Sequence, residues 1–179
     1  MTKDITLNWT APTPYKDVVL ANVPGFYCIT SIYGGEPSRL LYIGRSIDDT
    51  VKSRLYDHAD DYNRYRGMRI SFAPLPPEIL KELSDEDVDC IENALIYAYS
   101  PQNNSQGKNN LRRFFVKHCF TVKNCGHIPY GFTPSLNMMD LVTNPKPIDK
   151  KKPSKTVPTV QKKNVLKGPL IRHIFNRKR

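Results

Sequence analysis

The stretch GFYCITSIYGGEPSRLLYIGRS, from Gly25 to Ser46, constrains the fold most. GFYCITSIY carries β-branched and aromatic residues in loose alternation, the pattern of a strand. LLYIG is a second run of this kind, and GGEPSR between them reads as a turn. So short a connection makes the two strands antiparallel neighbours. Each run also sets a tyrosine close to a glycine: Tyr27 follows Gly25, and Tyr42 precedes Gly44.

The flanking segments supply partners for this hairpin. Residues 1 to 24 form a lead-in with a possible short strand, ITLNW. SIDDTVKSRLYDHADDY reads as an amphipathic helix, with Ser46, Asp48 and Asp49 as alternative N-caps and Val51, Leu55 and Tyr62 at helical spacing. MRISFAPL is expected to be a third strand, and LPPEILKEL a short helix or turn. SDEDVDCIENALIYAYSP is the clearest helix: Ser84 caps it, Asp87 stands at the third position of a capping box, and Pro101 stops it. Its stripe is Val88, Ile91, Leu95 and Tyr99. Period alone does not decide between helix and strand for LRRFFVKHCFTV. The expected fold class is α/β of the α+β kind: a small, mostly antiparallel three-stranded sheet flanked by helices, followed by a basic tail.

Charge divides the chain. Residues 143–179 hold twelve Lys or Arg against one acid, Asp149, while residues 1–142 hold fifteen basic and sixteen acidic side chains. All of the +10 excess therefore lies in the tail. A domain over 1–142 and a Pro/Lys-rich tail over 143–179, with a short terminal helix at 169–178, follow from this shift. A basic tail suits a polyanionic partner, and a merely solvated tail is the alternative. The 39% of hydrophobic residues supports a packed core, and no apolar run is long enough to span a membrane. The first residues show no charged-then-apolar signal pattern, so a cytoplasmic location is expected. The four cysteines, Cys28, Cys90, Cys119 and Cys125, are then expected to stay reduced. His118, Cys119, Cys125 and His127 match no zinc spacing and read as packing residues.

Polar side chains enter apolar stripes at three places. Counting from Val51, Arg54 and His58 take stripe positions one turn apart. Counting from Val88, Glu92 does the same. A buried carboxylate costs several kcal/mol unless it is paired or binds a cation, on the order of single-ion desolvation. A structural Glu92–Arg54 salt bridge is one reading; a shared polar pocket that meets a ligand is the other. For a phosphodiester, Arg54 suits the phosphate, since its planar fork binds two oxygens. Glu92 suits Mg²⁺ or Mn²⁺, which take few protein carboxylates and complete their shell with water and phosphate oxygens. A tyrosine is a poor base at neutral pH, but beside Arg54 and a metal its phenolate is favoured.

These residues together resemble the GIY-YIG nuclease superfamily. Gly25-Phe26-Tyr27 and Tyr42-Ile43-Gly44 resemble its two signature tripeptides, with Phe26 in place of the usual isoleucine. RLYDH resembles its helix motif, on Arg54 and His58. Glu92 falls at the metal-binding glutamate, and PQNN resembles the Pro-x-x-Asn ending, on Asn104. The resemblance covers roughly residues 22 to 104. It implies a Mg²⁺- or Mn²⁺-dependent endonuclease acting on DNA, double-stranded by preference. In that role Tyr27 helps activate water, Tyr42 supports it, Arg54 holds phosphate and His58 assists proton transfer. Glu92 binds the metal and Asn104 braces the site.

The turn between the tripeptides is longer than in compact members. Arg39 and Arg45 are candidate DNA contacts there, with an ordinary surface hairpin the favoured reading for Arg39. Lys150, Lys151, Lys152, Arg172 and Arg177 are candidate nucleic-acid contacts in the tail, with a targeting signal or a docking helix as alternatives. Neither a zinc-finger nor a helix-hairpin-helix pattern follows the core, so a stand-alone restriction, phage or defence nuclease is the expected role. The alternative is a non-hydrolytic nucleic-acid- or partner-binding module. The sequence leaves oligomeric state open.

Overall fold

The computed structural model describes residues 3–14, 23–33, 36–47, 51, 53–55, 67–104 and 120–143, all within the unit that ends at Pro147. Strands β1 (Lys3–Trp9), β2 (Thr13–Pro14), β3 (Gly25–Tyr33) and β4 (Glu36–Ser46) come first. Residues 51 and 53–55 are helical and are called α1. There follow β5 (Arg69–Pro74), α2 (Pro77–Glu82), α3 (Asp85–Tyr99), β6 (Phe120–Gly126), β7 (Ser135–Asn137) and α4 (Met138–Thr143). The class is α+β. The expected tail, apart from Thr143, and the expected helix at 169–178 lie outside the described residues.

The expectation of one three-stranded sheet needs correction, because there are two sheets. The first has the order β2-β5-β3-β4 and is antiparallel throughout. The run MRISFAPL supplies its β5, and two residues near the N-terminus add β2. The second sheet has the order β1-β6-β7, with β1 and β6 parallel. ITLNW falls within β1, which pairs Lys3 with Phe120 and Trp9 with Gly126. A partner that distant leaves no mark in local periodicity. LRRFFVKHCFTV, open between helix and strand, is strand from Phe120 onward, and its earlier residues lie outside the described set.

β3 is buried on both faces. Phe26 and Cys28 enter one core with Ile43, Ala73, Ile91, Ala94 and Leu95, to which Leu7, Trp9 and Val122 of the second sheet also belong. Tyr27 and Ile29 enter the opposite core with Leu41, Ile70, Phe72, Val51 and Leu55. Two-sided burial explains why GFYCITSIY lacks a clean polar alternation. By contrast β1 alternates strictly, with Ile5, Leu7 and Trp9 inside and the residues between them outside.

The helix α3 begins where its capping box places it. The Ser84 side chain accepts from Asp87 N at 3.2 Å, and Asp87 Oδ2 accepts from Ser84 N at 3.0 Å. Val88, Ile91 and Leu95 are buried as the stripe predicts, but so are Cys90, Ala94, Ile96 and Ala98, because apolar layers meet the helix on more than one side. It ends at Ser100, whose left-handed φ of 47° turns the chain into Pro101. Ser84→Ala removes half of the capping box; a loss of about 1 kcal/mol is expected, read as a lower urea midpoint at unchanged slope.

Candidate active site

The two glycine–tyrosine runs face each other across the β3–β4 ladder. Tyr27 is opposite Gly44, Cys28 opposite Ile43 and Ile29 opposite Tyr42. A Cβ built on Gly44 would lie 2.6 Å from Tyr27 Cζ and Oη and 2.7 Å from Tyr42 Cε1. The missing side chain at 44 is therefore the space in which the two phenols meet. Their ring centroids are 6.0 Å apart with planes tilted by 31°.

A β-bulge helps to aim Tyr42. Ile29 pairs with Tyr42 and Thr30 with Leu40, which leaves Leu41 as an extra residue on β4. Leu41 is buried in the Tyr27 core and Tyr42 packs against that same core, so two successive residues serve one side. Tyr27 is only 1% exposed, whereas Tyr42 is half-buried. Of the two phenols, Tyr27 therefore lies inside the core and Tyr42 reaches toward solvent.

Tyr42 ionises less readily than a free tyrosine. Burial is the largest cause, and the charge of Glu92 adds to it. A hydrogen bond with Tyr27 and the charge of Arg54 pull the other way, Arg54 least of the four. The protein's own groups hold Tyr42 as a neutral phenol: Arg54 pulls toward the phenolate as expected, but burial and Glu92 outweigh it.

Glu92 projects from α3 with 21% of its side chain exposed. Its direct partner is Arg45 and not Arg54. Arg45 Nε donates to Glu92 Oε2 at 3.2 Å, and Arg45 Nη2 forms an ion pair with Asp89 Oδ1. Strand alternation accounts for this: residue 45 shares a face with Ile43, and Ile43 belongs to the core that contains α3. Arg45, read from sequence as a DNA contact, thus sits in a three-charge cluster, and Asp89, one turn before Glu92, was not singled out at all. Acidic residues at i and i+3 opposite a basic strand position were the available signal. Burial pushes the Glu92 carboxyl up; Arg45 opposes this, Asp89 reinforces it, and Arg54 exerts the smallest pull downward.

Arg54 is exposed, while Val51 and Leu55 beside it are buried. The apolar stripe of α1 is narrower than the count from Val51 suggests, so Arg54 borders the core and does not enter it. Its charge still acts on both Tyr42 and Glu92. His58 lies outside the described residues, as do Lys150, Lys151, Lys152, Arg172 and Arg177. Arg39 is exposed on β4, three positions before Tyr42, and no contact joins it to this cluster among the described residues.

Asn104 is buried and holds the outer edge of β4. Its Oδ1 accepts from Ile43 N at 2.9 Å, and its Nδ2 donates to Ile43 O at 2.8 Å. Gln102 N and Asn103 N donate to Leu40 O and Leu41 O at 3.1 and 2.8 Å. Residues 102–104 therefore act as a partial fifth strand, with a carboxamide standing in for a peptide at the middle residue of Tyr42-Ile43-Gly44.

Among the described residues, no group of three or more His, Cys, Asp or Glu side chains is arranged to hold a metal ion. Nor is any helix among them long and apolar enough to cross a membrane. Comparison of the chain with family models, curated proteins and solved structures finds no match.

Two outcomes follow. Gly44→Ala drives a methyl group into both phenols; a loss of about 1–3 kcal/mol is expected in chemical denaturation, as for other overpacked cores. Glu92 holds its proton more tightly in the folded chain than in the unfolded one. Its charge therefore opposes folding as pH rises above the ordinary carboxyl value of 4.5. Against Glu92→Gln, the parent should lose relative stability between pH below 4.5 and neutrality. A relative gain over that interval would show Arg45 outweighing burial.

Proposed function

We propose that this chain is a metal-dependent endonuclease of the GIY-YIG type, hydrolysing phosphodiester bonds in DNA as a stand-alone restriction, phage or defence enzyme. One observation carries the reading: two phenols in contact over Gly44, with the charges of Glu92 and Arg54 both acting on Tyr42. Hydrolysis needs a water held in line, charge stabilisation on the phosphorane-like transition state and a stabilised leaving oxygen.

Exposure supports Arg54 as the phosphate ligand, because a guanidinium at the surface can present its fork to two oxygens. Burial supports giving Tyr42 the water-facing role and Tyr27 the supporting one, the reverse of the assignment that the family resemblance implies. As a neutral phenol, Tyr42 orients the water and donates to a phosphate oxygen. Asn104 keeps the Tyr42-Ile43-Gly44 backbone in register beneath the reacting groups.

Glu92 is a fitting ligand for Mg²⁺ or Mn²⁺: its burial opposes its own charge, and a cation relieves that penalty. Asp89, one turn away and paired with the same Arg45, offers a second carboxylate, and few protein ligands suffice for such ions. Bound there, the ion would supply charge stabilisation at the leaving oxygen. Arg45 already neutralises Glu92, and this favours a second reading, a module that grips nucleic acid without cutting it.

Incubation with plasmid DNA and Mg²⁺ or Mn²⁺ separates the two. Cutting is expected, with Glu92→Ala and Arg54→Ala each slower by about a hundredfold, the scale of losing one charge-stabilising group. Parent-like cutting by either variant sinks the assigned site. A gel shift without nicking under either metal establishes the binding module.

A further inference from the structure

β4 borders a concavity away from the tyrosine pair. A cleft of about 290 Å³ opens where Arg39 and Leu40 meet the C-terminal end of α3 and the turn at Tyr130 and Gly131. Its volume stands at the lower edge of small-ligand sites, roughly 300 Å³ and upward. Tyr99 forms part of the wall and is held firmly. Its hydroxyl accepts from Asn124 Nδ2 and Thr133 N, both at 3.3 Å, and its ring stacks on Phe132 with centroids 3.9 Å apart.

Tyr130 differs from Tyr99, since it is a large aromatic residue left 55% exposed at the rim. Gly131 follows with φ of +84°, and nothing lies within 4 Å of where its Cβ would stand, so the turn leaves open space beside that ring. Arg39 is exposed on the same rim.

The electrostatics select the ligand. α3 ends at this cleft; Ile96 O and Tyr97 O accept from Ser100 N and Oγ, and the helix C-terminus as a whole carries partial negative charge. Partial negative charge on this wall favours an amino-bearing ring over a phosphate. The guanidinium of Arg39 does the opposite. A flat, amino-bearing ring inside and a phosphate outside together describe a nucleotide. Arg39 stands three positions before Tyr42, roughly 10 Å at ordinary strand rise, which adjoining nucleotides of one strand can span.

We propose that this cleft takes one unstacked base of the nucleic-acid strand, with Tyr130 stacking on the base and Arg39 holding its phosphate. The inference rests on the phosphodiester reading above and narrows its substrate. A base within a duplex cannot enter the cleft, so the strand bound here is single or carries an unpaired nucleotide.

Fluorescence anisotropy tests this, using the full chain in EDTA with a short labelled single strand and with the matched duplex. Tyr130→Ala is expected to weaken single-strand binding at least about fivefold, the lower bound for losing one aromatic stack, and to leave duplex binding within about twofold. Tyr130→Phe should bind like the parent, since the stack survives without the hydroxyl. Arg39→Ala should lower the salt dependence by about one phosphate contact, a slope change of roughly 0.7. Parent-like single-strand binding by Tyr130→Ala overturns the cleft. Cutting of the same labelled single strand, with Mg²⁺ or Mn²⁺ restored to the same preparations, keeps the two proposals apart. Cutting with unchanged Tyr130→Ala binding sinks the cleft alone, and weakened Tyr130→Ala binding without any cutting by the parent sinks the nuclease alone.

Discussion

Across the β3–β4 ladder the ring of Tyr27 covers Gly44, and it occupies the space that any side chain at 44 would need. The contact holds the register of the two strands. A slip of one residue would turn Tyr27 toward the core of Phe26 and Cys28 and turn those two residues toward the core of Ile29. Both cores are well filled, so neither accepts the exchange. The bulge at Leu41 and the position of Tyr42 depend on this register, and so does the approach of Arg45 to α3.

The outer side of β4 presents the next constraint. An edge strand leaves peptide groups without partners, and Asn104 answers the two of Ile43 with one side chain while Gln102 N and Asn103 N donate to the carbonyls of Leu40 and Leu41. The same short segment that seals this edge also leads out of α3. A concavity results beside β4, lined by Arg39, Tyr99 and Tyr130, away from the phenols and charges.

Charge is concentrated where apolar layers end. Glu92 occupies a stripe position that packing alone would fill with an aliphatic residue, and burial works against its ionised form. Arg45 moderates that cost without removing it, and the charge of Asp89 adds to it. A local rule broken at one position, with partial compensation from neighbours, is the pattern expected of a site retained for chemistry over stability.

The strands at Gly25–Tyr33 and Arg69–Pro74 and the capped helix from Asp85 were legible because their information is local: β-branched runs, a serine three residues before an acid, and a proline stop. Glu92 was legible as an anomaly for the same reason. Its partner was not, because Arg45 reaches it only after strand alternation and helix packing have been combined. The parallel pairing of β1 with β6 and the burial of Tyr27 also escaped, since each depends on residues distant in the chain. Sequence alone determined the strands with β-branched runs, the capped helix from Asp85 and which polar residues sit out of place, because hydrogen-bonding period and capping act over a few residues. Tertiary structure decided which charges meet, which phenol reaches solvent and how many sheets form, because those outcomes follow from packing between segments that local periodicity cannot connect.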